Sequence, residues 1–112
     1  MDWSRIETLR DEIGAEDLPE VVGLFLDEAQ ETVARIAGGA EGRGLAADLH
    51  ALKGTALNLG LTELAQLCLR GEAAVAAGQA GAIDRRAIAE RFAASAAALR
   101  RHLAAGAEPP AA

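Results

Sequence analysis

The chain has 112 residues, a net charge of −6 and a single cysteine, Cys68. That length fits one domain with one modest core, the acidity excludes a nucleic-acid binder with a basic face, and a lone cysteine excludes an internal disulfide. No apolar run nears the roughly 20 residues of a bilayer span and no cationic-then-apolar leader follows Met1, so a cytoplasmic location without membrane association is expected.

Two phenylalanines, one tryptophan, no tyrosine and abundant alanine favour helices over strands. A short helix is predicted from Ser4 to Ile13, with Ser4 and Glu7 in capping-box spacing, Ile6, Leu9 and Ile13 on one face, and Gly14 at its end. Asp17 caps a second helix with Pro19 in its first turn. Its apolar stripe is Leu18, Val22, Phe25, Ala29, Val33 and Ile36, and Gly38-Gly39 stops it. A third helix is predicted over 44–59, closed by Gly60. Thr62 caps a fourth, with Leu64, Cys68 and Val75 along one face and Gly78 at its end. Asp84 caps a fifth, which carries Ile88, Phe92, Leu99 and Leu103. Connections of about two to eight residues between such helices imply antiparallel neighbours. The expected fold is all-α, an up-and-down antiparallel four-helix bundle with a short N-terminal capping helix, forming one domain over residues 1–103. The tail 104–112, with Pro109-Pro110, is expected to be disordered.

The third helix holds the functional candidates. At about 100° per residue, Leu45, Leu49, Leu52, Ala56 and Leu59 share a buried side, while His50 faces away from them with Arg43, Ala46, Ala47, Lys53, Gly54 and Leu57. His50 should therefore be exposed. Lys53, the only lysine in the chain, lies one turn on, where a flexible ammonium suits phosphate oxygens; a solvated surface lysine is the alternative. Gly54 weakens the helix by about 1 kcal/mol relative to alanine. Either it clears space for a visiting protein or it is a tolerated defect. Ala46, Ala47 and Leu57 would make a docking patch around the histidine.

The run His50-Ala51-Leu52-Lys53-Gly54-Thr55-Ala56-Leu57-Asn58-Leu59-Gly60 resembles the signature of histidine-containing phosphotransfer domains. The likeness continues through Leu61, Leu64, Ala65 and Cys68 to Glu72, and Leu24-Phe25-Leu26 resembles the family's preceding helix. The resemblance implies a phosphocarrier rather than an enzyme, whose histidine accepts a phosphoryl group from a receiver-domain aspartyl phosphate and passes it to another receiver aspartate. It implies that His50 is the phosphoacceptor, Lys53 the charge partner and Gly54 the clearance residue. Glu72 falls where the family places a Glu or Gln bonded to the imidazole. A carboxylate beside an apolar stripe also calls for a partner on physical grounds, and an arginine could be that partner instead. Gly71 stands where the family has a larger apolar residue and is expected to loosen the fourth helix.

No cofactor or metal of the chain's own is expected; Mg²⁺ would come with the receiver. The partners implied are response-regulator receiver domains and a hybrid sensor histidine kinase, with the chain itself a monomer. The alternative function is a non-catalytic helical adaptor that binds a signalling partner through the same surface. Cys68 and Trp3 read as packing residues, and His102 as a cation near a helix C-terminus.

Overall fold

A computed structural model describes residues 1–106. Five helices are present: α1 (Trp3–Ile13), α2 (Leu18–Ala37), α3 (Gly42–Asn58), α4 (Thr62–Ala76) and α5 (Arg85–Gly106), with a single 3-10 turn at Ala80–Ala82 and no strand among the described residues. α3 packs on α4 and α2, and α5 closes the bundle against α2 and α4. Their inward faces form one core that includes Leu26, Ile36, Leu45, Leu49, Leu52, Leu59, Leu64 and Phe92. Each such side chain contributes about 1.5–3 kcal/mol when fully buried.

The expected helices are all found, with shifted ends. Asp2, not Ser4, caps α1: its carboxylate accepts from the Ser4 backbone N–H at 3.2 Å, and the Ser4 hydroxyl bonds to the same oxygen. Asp84 caps α5 as expected, accepting from Ala87 N–H at 2.9 Å. Thr62 lies inside α4 rather than capping it. On α2, Leu26 and Thr32 are buried while Phe25 is only half-buried, because this helix faces both α3 and α5 and its inward side is wider than one narrow stripe. α5 continues through Gly106, three residues past the predicted limit at 103; the rest of the predicted tail, 107–112, lies outside the described residues.

α1 is fastened across the α3–α4 connection. Asp2 N–H donates to Gly60 C=O at 2.7 Å, and Arg5 Nε donates to Asn58 C=O at 2.9 Å. Gly60 has φ +73°, and a Cβ there would collide with the Asp2 carbonyl oxygen. Only glycine fits both demands.

Candidate functional site

The rotation of α3 follows its leucines. Leu45, Leu49, Leu52, Ala56 and Leu59 are fully buried, which turns His50 outward with 75% of its side chain accessible. Arg43, Ala47, Gly54 and Leu57 are exposed on the same side, and Ala46 is half-buried. On the turn before His50, Asp48 is fixed to α2 by Arg35, whose Nε and Nη2 each lie 3.2 Å from Asp48 Oδ1. That contact ties α3 to its neighbour close to the imidazole.

Glu72 approaches from α4 and meets two residues of α3 at once. Its Oε2 lies 3.4 Å from His50 Nδ1, at the long end of a hydrogen bond, and its Oε1 lies 2.7 Å from Lys53 Nζ. Lys53 and Glu72 are 22% and 25% exposed. The Lys53 ammonium first, and the His50 contact after it, hold the Glu72 carboxyl below its ordinary range against the opposing effect of burial. An ionised carboxylate only accepts, so in the neutral form of the ring the proton belongs on Nδ1, which faces it, and the lone pair on Nε2. The sequence pointed to Lys53 and Glu72 separately; the structure joins them.

Gly71 lies buried within an unbroken α4. A Cβ at this buried position would stand 3.0 and 3.1 Å from the two Leu49 methyl carbons. The bare backbone lets Leu49 pack directly on α4, and the adjoining residues, His50 and Glu72, are thereby brought within reach. At Gly54 the surroundings are the opposite: a Cβ would meet nothing within 4 Å. No packing among the described residues requires this glycine.

A groove of about 200 Å³ runs beside the pair, lined by Lys53, Leu57, Thr62, Ala65, Gln66 and Leu69. Leu57 and Leu69 are 56% and 57% exposed, so the apolar patch extends onto α4. Sequence reasoning missed Leu69, although its place off the Leu64–Cys68 stripe was a readable signal. Cys68 is buried beneath the site, and burial, reinforced by the Glu72 charge, pushes its thiol up to about 12. It stays protonated and inert. Trp3, expected to pack against the bundle, is instead exposed, with its ring centroid 4.3 Å from that of His102 on α5. Among the described residues, no group of three or more His, Cys, Asp or Glu is arranged to hold a metal ion, and no helix is long and apolar enough to cross a membrane.

The family model described as the Hpt domain matches residues 20–105, which takes in most of α2, all of α3 and α4, and α5 up to its last residue but one. The chain belongs to the Hpt domain family. No curated protein and no solved structure was found to match it. Hpt domains are phosphocarriers of phosphorelays that interact with receiver domains, and the histidine within the matched segment that faces solvent from the core-packed helix α3 is His50. The second histidine inside the match, His102, lies against Trp3, the two rings tilted by 36°.

Proposed function

We propose that this Hpt domain accepts a phosphoryl group on His50 from a receiver-domain aspartyl phosphate and passes it reversibly to another receiver aspartate. The observation that carries this reading is the combination of an exposed imidazole with a carboxylate on only one of its nitrogens. In the transfer, the Nε2 lone pair forms a bond to phosphorus while the P–O bond to the receiver aspartate breaks. The bonding electrons leave with the aspartate carboxylate, and the Nδ1 proton stays on the ring, donated towards Glu72. The reverse sequence unloads the histidine onto the next receiver.

Phosphoryl transfer has a loose transition state and demands mainly positioning and charge. This chain supplies the oriented nucleophile, the Lys53 ammonium, and an approach lane kept open by Gly54. Mg²⁺ held by the receiver would neutralise the remaining phosphoryl charge. Arg43, Ala46, Ala47 and Leu57, joined by Leu69, form the docking surface in this reading. A hybrid sensor kinase is the proposed source of the phosphoryl group, and the setting is a monomer in the cytoplasm. Connections of four and three residues (38–41 and 59–61) support an up-and-down antiparallel order for the long helices. The test is a relay between two purified receivers, one phosphorylated. The second receiver should acquire label only when the chain is present, and a His50→Gln variant should abolish its gain. Undiminished relay through His50→Gln rejects the carrier role in favour of an adaptor.

A further inference from the structure

We propose that Glu72 is a holding site for Lys53, keeping the ammonium on its carboxylate until His50 carries a phosphoryl group and then releasing it to that group. This rests on the phosphocarrier reading above and adds a resting state to it. In the unloaded chain Lys53 Nζ sits 2.7 Å from Glu72 Oε1, a closer contact than the 3.4 Å between His50 Nδ1 and Oε2. Lys53 is mostly covered while His50 stands in solvent, so the cation rests between α3 and α4.

The two carboxylate oxygens serve different residues, which lets Glu72 lose one contact and retain the other. With a neutral ring the resting trio has no net charge. A phosphoryl group brings roughly −1.5 to −2 charge at neutral pH, and for a single ammonium it outcompetes the monoanionic carboxylate that already held it. Reach is no obstacle, because residues three apart on a helix have Cβ atoms about 5–6 Å from each other, and a lysine stem is flexible where an arginine fork is planar. The Nδ1–H bond to Oε2 meanwhile keeps the ring oriented. Counter-charge supplied only as transfer proceeds favours the transition state over the resting state. Glu72 is thus a positioning residue that acts through Lys53.

Lysine labelled with ¹⁵N at Nζ gives one ammonium resonance, since Lys53 is the only lysine. The full chain and its Glu72→Gln variant are compared before and after loading with phosphoramidate, with ³¹P spectra of the same samples reporting phosphohistidine. Before loading, Glu72→Gln should displace the Lys53 resonance. After loading, the wild-type resonance should move, and wild type and variant should coincide. A difference that persists undiminished in samples whose ³¹P spectrum shows full loading overturns the holding site while leaving the phosphocarrier reading intact. Failure of phosphohistidine to form in either chain, from phosphoramidate or from a phosphorylated receiver, overturns both.

Discussion

Gly54→Ala adds one methyl group a turn away from His50 on the exposed side of α3. A Cβ at this position meets nothing within 4 Å, so no packing penalty opposes the gain in helix propensity, about 0.8–1.0 kcal/mol for alanine over glycine. The variant should be more stable by about that amount, and 1 kcal/mol raises the melting temperature of a domain near this size by about 4–8 °C. Function should move the other way. A docked receiver must bring its aspartyl phosphate onto Nε2 beside the new methyl, and forcing a methyl into a close-packed contact costs about 1–3 kcal/mol. That corresponds to a transfer slower by roughly 5- to 160-fold. Thermal melts and a time course of label transfer from one phosphorylated receiver measure both effects. A stabilised variant that transfers at the wild-type rate would refute the clearance role. A destabilised one would refute the open surroundings assigned to Gly54.

Gly60→Ala should lower stability by more than about 2 kcal/mol, since a positive φ alone costs a side chain about 1–2 kcal/mol and the Asp2 carbonyl blocks the added carbon. Urea midpoints and the fluorescence of Trp3, the only tryptophan, should both report the release of α1; an unchanged midpoint contradicts this. Arg85 Nη1 donates to Ile36 C=O at 2.7 Å and to Ala40 C=O at 2.9 Å. Arg85→Met should therefore cost about 1.5–3 kcal/mol, measured by denaturant unfolding, and a neutral effect would show that water replaces the guanidinium. Glu72, held below its ordinary value of 4.5 chiefly by Lys53, stabilises the fold fully above 4.5. That contribution is lost as the pH falls through the depressed folded value. The stability gap between wild type and Glu72→Gln should thus shrink in acid, and a gap that is constant with pH contradicts the assignment.

The outward placement of His50 was readable because four apolar side chains on α3, continued by Leu59 just after it, repeat at the helical period with no competing stripe. α2 was harder: a helix wedged between two neighbours buries more than one stripe, so Leu26 was left off the predicted apolar face. The cap of α1 was misassigned because Asp2 and Ser4 both offer side-chain oxygens, and only the folded backbone selects between them. The turn at Ala80–Ala82 has no side chain that announces it. The contact between Lys53 and Glu72 depends on the axial register of α3 against α4. That register is set by Leu49 packing on Gly71, a glycine whose meaning appears only when its neighbour is seen.

Phosphoryl-site mapping by ³¹P spectroscopy, on chain loaded by a phosphorylated receiver, tests most directly whether His50 is the carrier. One phosphoramidate signal, labile in acid and missing from His50→Gln, is the predicted result. A signal that survives this substitution, or one with the acid stability of a serine or threonine phosphate ester, would contradict it.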